Sequence, residues 1–261
     1  MSKKLCLVLG AGGARGVAHV GFLQALDEQG IKPDSIVGCS MGAVVGACYS
    51  AGYSPKEMRD IAEHLKLKHI FDPSPAMFFK KSLLSSSKMR KKLEEILGEI
   101  TFEQLKIPFE CIAVDIHKGK VVTLNSGKVA DAVRASSSIP MIFRPVMKDD
   151  QELVDGGVLC RLPIENAKNF NADVVVAVDV LGEYRPHETS KNIISQVLRV
   201  VDLCDSHNTQ RYLESHTPDI LIEPSLGDMS PYKVEKLSFA FGQGYYKGIK
   251  YGDKIKKLLE D

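Results

Sequence analysis

A serine framed by two glycines is the feature of this sequence that most directly suggests chemistry. Gly38 and Gly42 flank Ser40 at a spacing of two residues, where an apolar run (35–39) meets a stretch of small residues. At a sharp strand-to-helix turn, a serine has a strained backbone and an exposed hydroxyl, and side chains two residues away would collide. The spacing predicts a nucleophile elbow at Ser40, although tight strand–helix packing alone produces the same pattern.

A glycine-rich stretch near the start of the sequence is a second candidate for chemistry. GAGGARG (10–16) follows a short apolar run and precedes a helical pattern, so N–H groups at the beginning of that helix would bind negative charge. A dinucleotide pyrophosphate would require glycine at Arg15 and a carboxylate where Ser40 ends the second strand. The oxyanion of an acyl-transfer intermediate would require only fixed N–H donors beside a nucleophile.

Two later motifs fit the second of these chemistries. Asp155 lies in VDGGV, and a carboxylate can take the proton of a serine hydroxyl if the fold brings the two groups together. Gly156 and Gly157 predict a tight turn with room for the carboxylate, although an ordinary turn between strands has the same sequence. RASSSIP (134–140) predicts the end of a helix before its proline, and its serines are candidates for shaping a pocket.

The motifs GAGGARG, GCSMG, RASSSIP and VDGGV resemble, in type and order, those of the patatin-like phospholipase family. Members of that family are lipid acyl hydrolases that use a Ser–Asp dyad. The resemblance extends from residue 4 to about residue 182 and is looser from there onward. It implies a patatin-like fold, with the nucleophile at Ser40 and the base at Asp155.

The resemblance also implies how an oxyanion would be held. In the family the glycine-rich turn forms the oxyanion hole, and Arg15 matches a basic residue that supports this loop. Many members have glycine where Ala11 stands, but a backbone contribution needs no particular side chain. The implied reaction cleaves a lipid or simpler ester through an acyl-enzyme and uses no metal and no cofactor. The hole is implied at Gly12, Gly13 and Ala14, with support from Arg15, Gly38, Gly42 and Gly156.

Three other classes of protein remain as alternatives. An α/β-hydrolase esterase needs a histidine after its acid, and His187, His207 and His216 are available, although none follows a strand in a glycine-bounded loop. A dinucleotide-binding protein would use only the glycine-rich stretch. A regulatory or adaptor protein would keep the fold for partner binding without catalysis. Asp115 and Asp179, which end apolar runs, are expected to position loops.

The composition describes an ordinary globular protein. Among 261 residues, 34 basic side chains are balanced by 33 acidic ones, so no excess charge favours binding of nucleic acid. The length predicts a single domain over residues 1–261. No run approaches the roughly 18 apolar residues of a membrane helix, so we expect a cytoplasmic protein whose membrane contact, if any, is peripheral. The six cysteines lack metal-ligand spacing, which predicts reduced thiols and no zinc site.

Apolar runs of strand length alternate with helical patterns. The predicted strands are 5–9, 35–39, 109–114 and 174–178, and the predicted helices include 17–29, one from Ser40 to Gly52, one begun by a Ser54–Glu57 capping box, 88–97 and 192–212. This order predicts an α/β fold in three layers, helix, sheet and helix, with a mostly parallel central sheet. The last of these helices has an apolar stripe predicted to lie in the core: Ile193, Val197, Val200, Val201 and Cys204.

Residues 69–100 are the candidate lid or pocket-capping segment. The first part mixes prolines with apolar and basic residues in a long irregular connection, and residues 88–97 resume a helix. A cluster in this segment either touches a lipid surface or packs beneath a loop as a satellite core: Phe78, Phe79, Lys80 and Lys81.

Overall fold

Strands and helices alternate along the chain. The computed structural model describes residues 3–64, 82–140, 142–182, 193–231 and 236–260. The strands in these residues are β1 (Leu5–Leu9), β2 (Ser35–Cys39), β3 (Phe109–Asp115), β4 (Lys120–Leu124), β5 (Val146–Lys148), β6 (Gln151–Asp155), β7 (Val174–Val178) and β8 (Ile220–Ile222). The helices are α1 (Val17–Glu28), α2 (Met41–Ala51), α3 (Pro55–His64), α4 (Ser82–Leu97), α5 (Val129–Ser136), α6 (Ile193–Ser215) and α7 (Leu237–Glu260).

The described strands form one sheet with a parallel centre. Their order is β5-β6-β3-β2-β1-β7-β8, and β4 is a further neighbour of β3. β1 pairs in parallel with β2 and β7, β2 with β3, and β7 with β8. β4 and β6 run antiparallel to β3, and β5 runs antiparallel to β6. The mostly parallel sheet is confirmed, with the four predicted apolar runs at its centre.

Helices cover both faces of this sheet. Successive side chains of β1 point to opposite faces, so Leu5, Leu7 and Leu9 join the larger core beneath α1, α2, α5 and α7. Cys6 and Val8 join a smaller core beneath α6. The predicted layering of helix, sheet and helix is confirmed.

The two edges of β3 determine which residues meet at the carboxyl end of the sheet. β4 pairs with residues 111–115 along one edge, so β2 and β6 must share the other. On this shared edge Ile112 faces Cys39 of β2, and Ala113 faces Asp155 of β6. β2 and β6 therefore run toward each other, and their carboxyl ends lie at neighbouring positions of β3.

Local signals at the ends of helices agree with the structure. Gly52 follows the last residue of α2 with φ +102°, a conformation that favours glycine. Before α3, the Ser54 N–H donates to Glu57 Oε2 (2.8 Å) and the Glu57 N–H donates to Ser54 Oγ (3.3 Å). These reciprocal bonds are the predicted capping box.

The orientation of α6 differs from the prediction. Its inward side includes polar residues: Ser206 and Thr209 are buried, and Asp205 pairs with the buried Arg161 at 2.9 Å. Tyr212 and Leu213, further along the helix, pack against the smaller core. A buried guanidinium needs anionic partners, and this requirement outweighs the burial of an aliphatic stripe. The predicted core position is wrong for the four stripe residues whose side chains are described, because all are exposed: Val197, Val200, Val201 and Cys204.

The structure describes the second part of the candidate lid segment. α4 begins at Ser82, earlier than the predicted residue 88, and it buries Met89, Leu93 and Leu97. Residues 69–81, which include the predicted lipid-contacting cluster, lie outside the described residues. None of the helices in the described ranges is long and apolar enough to cross a membrane.

Candidate active site

Ser40 occupies a sharp turn between β2 and α2. Its backbone has φ +53° and ψ −122°, a conformation that non-glycine residues rarely adopt and that the surrounding structure must maintain. A Cβ atom on Gly38 would lie 2.5 Å from the Cα atom of Ala43, and one on Gly42 would lie 2.0 Å from the carbonyl oxygen of Leu9. Both glycines therefore allow the close approach of α2 to β1 and β2 on which this turn depends.

Asp155 accepts a hydrogen bond from the Ser40 hydroxyl. The distance between Ser40 Oγ and Asp155 Oδ2 is 2.6 Å, and each residue is only 5% exposed. The other carboxylate oxygen, Oδ1, accepts the Gly157 N–H at 2.8 Å. The pKa of Asp155 is raised to about 6, chiefly because the carboxyl is buried. The two hydrogen bonds oppose this rise, and the charge of Asp205 adds to it. The carboxylate is therefore a stronger base than an exposed one, yet it is mostly ionised at neutral pH.

Gly156 allows the turn after Asp155 to lie against the sheet. A Cβ atom on Gly156 would be 2.7 Å from the carbonyl oxygen of Ile112 and 2.9 Å from Cys39 Sγ. A larger residue at position 156 would push the turn away from β2 and β3, and this shift would move the Asp155 carboxylate away from Ser40.

The glycine-rich turn contains two N–H groups that bind no other described residue. Within the described ranges, neither Gly12 nor Gly13 donates its N–H to another residue, and Gly13 lines the same cavity as Ser40. The predicted third donor is occupied: the Ala14 N–H donates to the carbonyl oxygen of Pro231 at 2.8 Å. This geometry corrects the candidate oxyanion hole to Gly12 and Gly13, because Ala14 has no free N–H in this conformation.

Arg15 attaches the glycine-rich turn to two distant segments. Its guanidinium donates to the carbonyl oxygens of Met229 (2.6 Å), Leu181 (3.1 Å) and Gly227 (3.2 Å). A planar group with several fixed donors suits this purpose, because one side chain can bind three carbonyl groups at once.

Three consecutive serines at the end of α5 contact both members of the pair. Ser136 Oγ accepts the Ser40 N–H at 3.0 Å, and Ser137 Oγ donates to the Ser40 carbonyl at 3.2 Å. The Ser138 carbonyl accepts the Asp155 N–H at 2.9 Å. α5 ends at Ser136, as the following proline predicts. The stretch therefore both ends a helix and holds the backbone of the pair.

An apolar cavity of about 110 Å³ lies beside Ser40. It follows α2 from Ser40 to Cys48, a length of roughly 12 Å at the rise of an α-helix, and α1, α3 and α4 supply other walls. Lys92 is the charged exception in a lining that is otherwise uncharged among the described residues. Apolar side chains dominate this lining, among them Val44, Met58, Met89, Leu93, Ile96 and Ile139.

No described histidine forms a hydrogen bond with Ser40 or Asp155. His207 is exposed on α6, and His216, just beyond its end, stacks on a tyrosine. His187 lies outside the described residues. Across the described ranges, no group of three or more His, Cys, Asp or Glu side chains is placed to hold a metal ion. All six cysteines are free thiols.

The two acids that end strands hold loops, as predicted. Asp115 Oδ1 accepts the N–H groups of His117 (3.0 Å) and Lys118 (3.2 Å). Asp179 Oδ1 accepts the Leu181 N–H at 3.0 Å. Both carboxylates therefore fix the chain immediately after a strand.

Sequence patterns did not identify Arg161 as part of the site. Its guanidinium pairs with Asp179 (2.7 Å) and Asp205 (2.9 Å), and its carbonyl accepts the Ala11 N–H at 2.8 Å. Arg161 thus joins the glycine-rich turn, the end of β7 and α6. The signal in the sequence was weak, since the two carboxylates lie 18 and 44 residues further along the chain.

Comparison with known sequences identifies the family. The model of the patatin-like phospholipase family matches residues 7–168. An uncharacterized NTE family protein of Mycobacterium tuberculosis (strain ATCC 25618 / H37Rv) is 39% identical over 184 residues, which are 69% of this chain and 50% of that protein. Lysophospholipase nte1 of Aspergillus fumigatus is 31% identical over 188 residues, 69% of this chain and 12% of that protein. The chain spans half the length of the first relative and far less of the second.

Solved structures show the same fold. VipD from Legionella pneumophila has a TM-score of 0.59 at 16% identity, over 97% of this chain and 67% of that chain. Human GIVD cytosolic phospholipase A2 has a TM-score of 0.57 at 11% identity, over 99% of this chain and 60% of that chain. At such identities the likeness concerns the fold alone. The match of the family model to more than half of the sequence shows that this chain belongs to the patatin-like phospholipase family.

Proposed function

We propose that this protein is a serine acyl hydrolase that cleaves carboxylic ester bonds of lipids. The observation that carries the proposal is the 2.6 Å hydrogen bond from Ser40 Oγ to the buried carboxylate of Asp155, at a strained turn beside an apolar cavity. A relative named a lysophospholipase supports a lipid ester as the substrate class. Peripheral contact with a lipid surface and a cytoplasmic location stay predictions from the sequence.

In the first half of the proposed reaction Ser40 becomes acylated. Ser40 Oγ attacks the ester carbonyl carbon while Asp155 Oδ2 accepts the hydroxyl proton. The N–H groups of Gly12 and Gly13 stabilise the negative charge that develops on the carbonyl oxygen, and the beginning of α2 adds a favourable dipole. Asp155 then gives its proton to the departing alcohol or lysolipid, which leaves an acyl ester on Ser40.

In the second half water removes the acyl group. Asp155 accepts a proton from a water molecule while the oxygen of that water attacks the acyl carbonyl carbon. The N–H groups of Gly12 and Gly13 then stabilise the second oxyanion. Collapse of this intermediate releases the fatty acid and returns the proton to Ser40. The apolar cavity is the proposed site for the acyl chain, because its lining buries methylene groups without leaving polar groups unpaired.

Release of fatty acid from defined lipids tests this function. Lysophosphatidylcholine, phosphatidylcholine and triacylglycerol would be incubated separately with the protein, and free fatty acid would be measured by mass spectrometry. We expect release from at least one of these lipids, with a loss on the order of 1,000-fold or more in Ser40→Ala and Asp155→Asn.

A matched control distinguishes loss of chemistry from loss of fold. Ser50 is a buried serine on α2, far along the helix from Ser40, so Ser50→Ala should keep the activity. Undiminished release by a folded Ser40→Ala variant would contradict the proposal. Absence of release by the wild type from all three lipids would instead favour the adaptor alternative.

A further inference from the structure

The backbone of Ser40 is held from outside its own strand and helix. At φ +53° the residue adopts a conformation of high energy, and Ser40 itself is buried. Its N–H follows the last residue of β2 and donates to the side chain of Ser136, while its carbonyl accepts a bond from the side chain of Ser137 as well as from the first turn of α2. Two side-chain hydroxyls thus bond both backbone polar groups of the strained residue.

The same short stretch holds the other member of the pair. The Asp155 N–H donates to the carbonyl oxygen of Ser138 at 2.9 Å. Residues 136–138 therefore connect β2 and β6 at the point where their carboxyl ends meet. β3 brings the carboxyl ends of β2 and β6 to neighbouring positions, and residues 136–138 add hydrogen bonds to the backbone of both Ser40 and Asp155 there.

We propose that Ser136 and Ser137 are positioning residues that maintain the strained Ser40 backbone in the geometry needed for proton transfer to Asp155. The inference rests on the proposed function of the pair. Ser136 is completely buried and is not part of the lining of the cavity proposed for the acyl chain, so its proposed effect on the reaction runs through Ser40. Its side chain also hydrogen-bonds with the buried Cys111 thiol, which is not part of the pair. Ser137 does line the cavity, so its effect on substrate binding must be separated from its effect on Ser40.

A purely structural role predicts a different outcome from a positioning role. If the hydroxyls only satisfied buried backbone groups, their removal would lower the melting temperature and leave the rate per folded molecule unchanged. If they position Ser40, the turn relaxes when a hydroxyl is lost and Oγ moves away from the carboxylate. A displacement on the order of 1 Å can lower the rate of the chemical step 100-fold.

Steady-state kinetics on p-nitrophenyl butyrate separate these outcomes. For Ser136→Ala we expect kcat to fall on the order of 10- to 100-fold with KM within about twofold of the wild type, and the rate of fluorophosphonate labelling should fall in parallel. At Ser137, two variants test whether the hydroxyl itself is needed. Ser137→Ala should lower kcat about tenfold, whereas Ser137→Thr, which keeps a hydroxyl donor, should have a kcat within about threefold of the wild type. Ser50→Ala is the matched buried-serine control and should keep the wild-type kcat.

The inference would be overturned by a folded Ser136→Ala variant with wild-type kcat and only a lower melting temperature. Equal losses of kcat in Ser137→Ala and Ser137→Thr would also contradict the inference. If Ser136→Ala does not fold, the comparison of these two Ser137 variants is the test. A wild type inert toward both the ester and the fluorophosphonate would overturn the proposed function itself. An active wild type with unaffected serine variants would overturn only the positioning role.

Discussion

At the scale of single residues, Asp155 must be both ionised and basic. Burial alone would favour the neutral acid, whereas the hydrogen bonds from the Ser40 hydroxyl and the Gly157 N–H favour the carboxylate. Their balance places the pKa at about 6. An exposed aspartate, with a pKa near 4, would accept a proton about 100-fold less readily.

We expect ester hydrolysis to decline below neutral pH as Asp155 becomes protonated. Only the carboxylate can accept the Ser40 proton, so kcat/KM should fall about tenfold per pH unit below an apparent pKa of about 6. The charge of Asp205 raises this pKa, so Asp205→Asn should move the acidic limb toward lower pH. Profiles of kcat/KM against pH for both proteins measure the effect. If the acidic limb of the wild-type profile were centred below pH 4.5, the predicted role of Asp155 as the titrating base would be contradicted.

The same carboxylate should lower the stability of the folded protein when it is ionised. The native state binds the Asp155 proton more tightly than the unfolded state, whose pKa is near 3.8, so the free energy of unfolding falls as pH rises from about 4 to about 6. Asp155→Asn removes this penalty and should be more stable than the wild type by about 1–3 kcal/mol at pH 7.5.

Urea denaturation at two pH values measures this difference. The advantage of Asp155→Asn over the wild type should be present at pH 7.5 and should shrink toward pH 4.5. A wild type that is more stable than the variant at pH 7.5 would show that the hydrogen bonds of the carboxylate outweigh its burial.

At the scale of elements, glycines determine how closely helices approach their neighbours. α7 packs along α1, and a Cβ atom on Gly244 would lie 1.8 Å from the carbonyl oxygen of Ala18. Gly242, two residues earlier on α7, is exposed and has no atom within 4 Å of such a Cβ. One helix thus contains a glycine required by packing and one that packing does not require.

This pair of glycines gives a prediction with an internal control. Gly244→Ala should destabilise the protein by about 1–3 kcal/mol, because backbone must move to accommodate the methyl group. Gly242→Ala should stabilise it by about 0.5–1 kcal/mol, because alanine loses less backbone entropy in a helix. Urea denaturation of both variants measures the change in the free energy of unfolding. Changes in the same direction for the two variants would contradict this interpretation of the packing.

The sequence predicts the centre of the sheet better than its periphery. β1, β2, β3 and β7 are buried on both faces, so continuous apolar runs mark them, whereas β5 and β8 have three residues each and β4 is largely exposed. The helix period of α6 was also correct, but its orientation was not. Orientation depends on the buried Arg161, whose need for a carboxylate no local pattern reveals.

For the site, the pairing of Ser40 with Asp155 was implied by the family resemblance, whereas the hydrogen bonds that hold this pair in place were not predicted. Gly38 and Ser40 are fixed by the local geometry of one turn, which short-range spacing reveals, and Gly42 is required in addition by the close approach of α2 to β1. The bond between Ser136 and Ser40 spans 96 residues, so only the assembled fold creates it. The same holds for Ala14, whose N–H is occupied by a carbonyl group from the other end of the chain.

At the scale of the whole molecule, the helices on one face of the sheet form the cavity that would accept an acyl chain. Val44 lines this cavity one helical turn beyond Ser40 on α2. Because α1, α3 and α4 close the cavity around α2, a larger side chain at this position should shorten the space available. The length of acyl chain that the protein accepts therefore depends on packing between layers.

We expect Val44→Phe to select against long acyl chains. The ratio of kcat/KM for p-nitrophenyl octanoate to that for the acetate should fall about tenfold or more, since a blocked pocket excludes methylene groups that the wild type buries. Val121→Phe, at an exposed position of β4, is the matched control and should leave the ratio unchanged. An unchanged ratio in Val44→Phe would show that the acyl chain lies elsewhere.

The most direct test of the Ser40–Asp155 pair is the intact mass of the protein after incubation with a fluorophosphonate. We predict a single adduct on the wild type, none on Ser40→Ala, and labelling of Asp155→Asn that is slower by a factor on the order of 100 or more. Labelling of Ser40→Ala at the wild-type rate, or a folded wild type that takes up no label, would contradict an activated serine at position 40.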